Sequence, residues 1–236
     1  MDNLEYDPIL DHILELMKPI SKVKAALSGV DDLVVTDSQV LYNGTELHGV
    51  LVDRILNNDN VNHLVAFLGK LMKNPSYRAV NELYGFLEKN KHAILSDGNF
   101  VAYKIVKADY TDLRTGTFDN SPGKTSSVPR NMVDEDANRT CSYGLHVCGF
   151  EYLDKYGSVR NGTDRVIAVS VNPANVVAVP VDYNNAKMRV SEHTSLTDIT
   201  DKVKAGGLWV GCLGYDTYEY DDLTEDEWYS FSDYED

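Results

Sequence analysis

The chain has 236 residues, a net charge of −15 and 43% hydrophobic residues, which is ordinary globular composition with ample length for a core. No apolar run reaches the ~18 residues a membrane-spanning helix needs, and the opening Met1–Pro8 carries acids where a signal peptide carries bases. Residues 215–236 hold ten acids and no Lys or Arg, leaving 27 acids against 22 bases over residues 1–214. A net-acidic body repels phosphate backbones at long range, which argues against a general nucleic-acid binder.

In chain order, Asp7 and Pro8 suit a helix start, and Ile9, Ile13, Leu16 and Ile20 recur at helical spacing. Short strands are expected over 33–35 and 39–42, with Asn43-Gly44 as a hairpin turn. Helices follow over 61–72 and 77–90, separated by Asn74-Pro75-Ser76. The texture then changes. Phe100–Val106 reads as a strand, as do Leu145–Cys148, Arg165–Val171, 176–181 and Lys187–Val190, with a short helix over 151–156. The fold class expected is α+β: a helical module with a small hairpin (1–95), a mostly β module carrying a long polar loop (96–214), and an acidic aromatic tail (215–236).

The loop from Ala108 to Cys148 is the region where chemistry is sought, because a stretch of that length without regular structure is normally functional or disordered. Gly123-Lys124-Thr125 ends like a P-loop, but Phe118 stands where the leading glycine belongs. Asp134, Asp136 and Asn138 begin like an EF-hand, but Arg139 replaces the required glycine. Cys141, His146 and Cys148, with Cys212, lack the paired spacing of a zinc site. No catalytic residue, metal or cofactor is assigned. Three cysteines are too few for a disulfide framework, so free thiols in a reducing compartment are expected. Lys104, Arg130, Asn131, His146, Lys187 and Arg189 share the β module and are the candidate binding residues for an anionic ligand or acidic partner. The competing reading has Arg130 and Asn131 tying down their own loop.

An ordered series of motifs runs Asn74-Pro75-Ser76, Arg78-Ala79-Val80, Glu82-Leu83-Tyr84, Asp97-Gly98, Ala102-Tyr103-Lys104 and Gly116–Ser121. It continues with Pro129-Arg130-Asn131, Thr140-Cys141-Ser142, Gly144-Leu145-His146, Asp182–Asn185 and Lys187-Met188-Arg189. The series resembles the rIIB-like (rapid-lysis) proteins of tailed bacteriophages. That resemblance implies a phage accessory protein in the bacterial cytoplasm or at the inner-membrane periphery. It would bind a host or viral protein and adjust lysis timing or counter exclusion, without implied catalytic residues. The β module is also similar in element order to ADP-ribosyltransferase-like domains, which implies a nucleotide ligand, bound with or without transfer; Glu192 is available as the late glutamate of such an enzyme, but no motif places it there. Self-association is a further possibility left open by the N-terminal helix. The tail joins its acids to seven aromatics, Trp228, Tyr229 and Phe231 among them, a composition suited to docking on a basic, partly apolar surface.

Overall fold

The segment Phe100–Val106 (FVAYKIV) is apolar but for one lysine, and a strand of that kind is stable only with both faces covered. The computed structural model bears this out. It describes residues 33–35, 40–42, 44–46, 62–89, 92–139, 141–153, 159, 162–180, 186–205, 207–208 and 229–230. The expected N-terminal helix and nearly all of the tail lie outside these residues.

Strands β1 (Leu33–Val35), β2 (Val40–Tyr42) and β3 (Thr45–Glu46) form a small antiparallel sheet. Helices α1 (Asn62–Leu71) and α2 (Tyr77–Lys89) follow. α1 buries Leu64, Phe67, Leu68 and Leu71 on one stripe, and α2 buries Leu83, Tyr84 and Leu87. Ser76 Oγ accepts from Ala79 N at 3.3 Å and caps α2.

The main sheet has seven strands in the order β5-β10-β7-β4-β6-β9-β8. These are β4 (Phe100–Val106), β5 (Thr125–Ser127), β6 (Leu145–Cys148), β7 (Arg165–Val171), β8 (Val176–Ala178), β9 (Lys187–Val190) and β10 (Glu192–Asp198). All its pairings are antiparallel. β4 and β7 stay in register from Phe100–Val171 to Val106–Arg165. One face packs Phe100, Ala102, Ile167, Val169 and Met188 against α1 and α2 in a single core. The other packs Val101, Tyr103, Val166 and Ala168 under α3 (Phe150–Leu153). Ile94, between α2 and β4, belongs to the first core. Helix α4 (Thr200–Lys204) follows β10, and β11 (Gly207–Leu208) pairs with β12 (Tyr229–Ser230).

Two elements depart from expectation. β5 lies inside the expected polar loop, and β10 is a strand where the sequence predicts none. β8 ends at Ala178, short of the expected 181, and α3 begins at Phe150, one residue before the expected 151, with 154–156 outside the described residues. The α+β class is as expected, and the large antiparallel sheet is what the structure adds to it.

Candidate functional site

The sheet has a fork. β4 and β6 pair only at Tyr103–Cys148 and then part. The carbonyl of His146 is left facing the gap, and the Lys104 ammonium donates to it at 3.1 Å. A cleft of about 720 Å³ opens there, lined by both strands and by the loops around Asp112–Phe118 and Cys141–Gly144.

Lys104 and Lys187 both line this cleft and both are buried. Burial pulls the Lys104 ammonium down to about 8, against smaller opposing effects of Asp112 and Cys148. The Lys187 Nζ sits 5.2 Å above the Tyr152 ring. His146 also lines the cleft, and its Nδ1 donates to the Gly144 carbonyl at 3.0 Å. Burial first, and then the charges of Lys104 and Arg189, bring the imidazole down to about 4, so it stays neutral. Burial pushes the Cys148 thiol up to about 12, and its Sγ donates to the Tyr103 carbonyl at 3.4 Å. That thiol is inert as a nucleophile at neutral pH. Cys141 is exposed; both cysteines are free. Among the described residues no group of three or more His, Cys, Asp or Glu is arranged to hold a metal ion.

Asp112 is the carboxylate of the lining. Burial would raise its pKa, but bonds from the turn reverse this and hold it well below the usual carboxylate range. The donors are the amides of Arg114, Thr115, Thr117 and Phe118 and the Thr115 hydroxyl. The motif Gly116–Ser121 thus belongs to a self-satisfied turn that walls the cleft.

The structure brings Lys104, His146 and Lys187 to the cleft and gives the other candidates different tasks. Arg189 is fully buried. Its guanidinium donates to the carbonyls of Asp134 (2.7 Å), Asp136 (2.6 Å) and Arg139, so it pins the loop that forms one cleft wall. Arg130 donates to Asn74 Oδ1 and to the carbonyls of Ala174 and Val176. Asn74 Nδ2 in turn donates to the carbonyls of Pro173 and Val176. The motifs around Asn74 and Arg130 are one clasp between the helices and β8. Asn131 is exposed on the 3-10 turn Arg130–Met132. Glu192 does not line the cleft; its Oε1 accepts from Asn175 at 3.2 Å.

Sequence reasoning passed over Asp112, Tyr152 and His193. His193 is buried with neither ring nitrogen hydrogen-bonded among the described residues, and burial followed by the Lys104 charge lowers it to about 3. The available signal for the site was Lys104 itself, a lone charge inside an otherwise apolar strand.

A family model described as Bacteriophage T4 protein rIIB matches residues 7–218. The chain belongs to the rIIB family. Protein rIIB of Enterobacteria phage T4 is 41% identical over 186 residues, covering 77% of this chain and 58% of that protein. The chain thus spans less than two thirds of the length of the rIIB protein it matches. No solved structure matches it. The match covers the fork, the Asn74–Arg130 clasp and the Arg189-pinned loop of this rIIB-family chain. Among the described residues no helix is long and apolar enough to cross a membrane.

Proposed function

We propose that this chain acts in the infected bacterium as a phage accessory protein that binds a negatively charged group of a host or viral component, and so modulates lysis timing or counters exclusion. The observation that supports this reading is the charge of the fork. In a chain of net charge −15, the described residues that line the cleft include Lys104, Lys187 and Arg114, with Asp112 as the one carboxylate among them. A locally cationic concavity on an acidic protein selects small or pointed anions and repels extended polyanions. Complementation tests it. A phage lacking its rIIB-family gene is supplied with wild-type protein or with Arg114→Glu or Lys187→Glu, and lysis time and plating on an excluding host are scored. Wild type restores both and the charge-reversed proteins do not, although Arg114 is exposed and its replacement leaves the fold intact. Full rescue by the Arg114→Glu and Lys187→Glu proteins would remove the cleft from the function.

A second reading, an ADP-ribosyltransferase-like nucleotide module, is favoured by the position of the cleft between two parting strands. The place of Glu192 outside the lining favours binding over transfer.

A further inference from the structure

We propose that the cleft at the fork between β4 and β6 is a carbonyl-binding site in which the Lys104 amine forms an imine with an aldehyde carried on an apolar or aromatic body. The proposal concerns the same cleft as the anion reading but does not rest on it, because it uses the lone pair of one amine and not the summed charge of the walls.

The first argument is placement. Lys104 is the one charged residue of Phe100–Val106, is 9% exposed and lines the cleft. It is withdrawn from bulk water yet open to a molecule in the cleft. Among the described residues its Nζ makes one hydrogen bond, to the His146 carbonyl at 3.1 Å, and no ion pair. A neutral amine donating in that same bond holds its position and keeps a lone pair to spare.

The second argument is the set of groups around it. Asp112 follows β4, His146 and Cys148 lie on β6, and His193 lies on β10. His146, Cys148 and His193 are neutral at pH 7. Asp112 acts on Lys104 as a counter-charge, but burial outweighs it and brings the group to about 8. At pH 7 roughly a tenth of the chains then hold a free amine, about 300-fold more than for a lysine at the ordinary 10.5. Desolvation in an apolar pocket is a usual way to make a Schiff-base lysine. A protonated imine keeps the positive charge, so Asp112 faces it as it faced the ammonium.

The third argument is the wall. Ile105, Leu113, Phe118, Val147 and Tyr152 line a cleft of about 720 Å³, within the ~300–1,000 Å³ usual for small-molecule sites. Such walls reward burial of an apolar body behind the carbonyl. In the step itself the amine lone pair forms the C–N bond and the carbonyl π pair moves to oxygen. The two N–H protons then leave with that oxygen as water, and C=N forms. No oxidant or reductant is consumed.

The test treats the full chain with benzaldehyde. Sodium cyanoborohydride, which delivers hydride to the imine carbon, fixes the product as a benzyl amine that peptide mass spectrometry locates. Lys104 is expected to label once per chain at pH 7, at least about tenfold faster than the exposed Lys73 and Lys124. Its rate levels off above pH 8, whereas theirs still climbs. Urea abolishes the preference, and Lys104→Met loses the fast label; the urea comparison decides where that variant does not fold. With glyoxylate, which has no apolar body, the preference for Lys104 over Lys73 is much smaller. The proposal is overturned if Lys104 labels no faster than Lys73, if the preference survives in urea, or if glyoxylate shows it equally. Selective labelling while the charge-reversed proteins rescue the phage leaves this proposal standing and removes the anion reading. Absence of selective labelling while they fail to rescue removes this proposal alone.

Discussion

Arg189 holds together a loop that has few backbone pairings of its own. Its three carbonyl bonds reach Asp134, Asp136 and Arg139. Arg189→Met leaves those carbonyls without their donor; a buried group left unmet costs about 1–3 kcal/mol, and less where water reaches it, as at the exposed Arg139. The expected result is a loss on the order of 3 kcal/mol in the unfolding free energy from urea titration, with new protease cleavage between residues 133 and 143; an unchanged midpoint counts against it. Lys104 carries a pH signature. Its pKa is 10.5 in the unfolded chain and about 8 when folded. Between those values the unfolded chain holds a proton that the folded chain has lost, so this group makes stability rise with pH. Cys148, raised from 9.0 to about 12, does the opposite above pH 9. The difference between wild type and Lys104→Met isolates the lysine: the variant is more stable at pH 7, and the gap closes towards pH 10.5. A gap independent of pH in denaturant titrations would mean that the ammonium is not desolvated. The thiols give a simpler check. Native protein labels quickly at Cys141, while Cys148 labels only on unfolding, and mass spectrometry after brief alkylation reads the difference.

Where the turn at Asp97-Gly98 meets α1, the sequence motif has a steric cause. Gly98 has φ +81°, and a Cβ there would lie 2.3 Å from the Ala66 carbonyl carbon and 2.4 Å from Phe67 N. Backbone cannot retreat as a side chain can, so Gly98→Ala is expected to cost over ~2 kcal/mol from strain and displacement of α1. Gly69, inside α1 with nothing within 4 Å, is the control: Gly69→Ala stabilises by up to ~1 kcal/mol. Thermal melts of the pair should move in opposite directions. The helices α1 and α2 were legible from apolar residues at helical spacing, and strands β4 and β7 from short, nearly continuous apolar runs buried on both faces, with β6 and β9 as briefer apolar segments. β10 was not. Its inward positions are His193 and Ser195, so alternation is present in burial but absent in hydrophobicity. β5 is three residues of Thr and Ser, which read as loop. For the site, Lys104, His146 and Lys187 could be picked out as polar residues near apolar strands. That Arg189 and Arg130 serve carbonyls instead could not, since a guanidinium looks the same in sequence whatever it meets.

Across the whole molecule, the distribution of charge separates two surfaces for testing. The cleft is cationic, while residues 215–236 carry two thirds of the net negative charge. Of that tail, the structure ties Tyr229–Ser230 to Gly207–Leu208 by a two-residue pairing. So small a pairing contributes little, and deletion of 216–236 is expected to lower Tm by no more than a few degrees. If the tail docks on a basic partner, the same deletion removes partner capture and the capture of wild type weakens with salt. Collapse of the fold on deletion would make the segment structural. The strand order bears on how the chain comes off the ribosome. β4, β5 and β6 emerge first, yet β4 waits for β7, β6 for β9 and β5 for β10. The edge of β4 therefore stays open until Val171 has emerged, that of β6 until Val190 and that of β5 until β10 is complete at Asp198, and long-range pairing of this kind is slow and prone to aggregation. Nascent chains stalled before Asp198 lack the strand that joins β5 to β7, so early termination yields chaperone clients and not partly working protein.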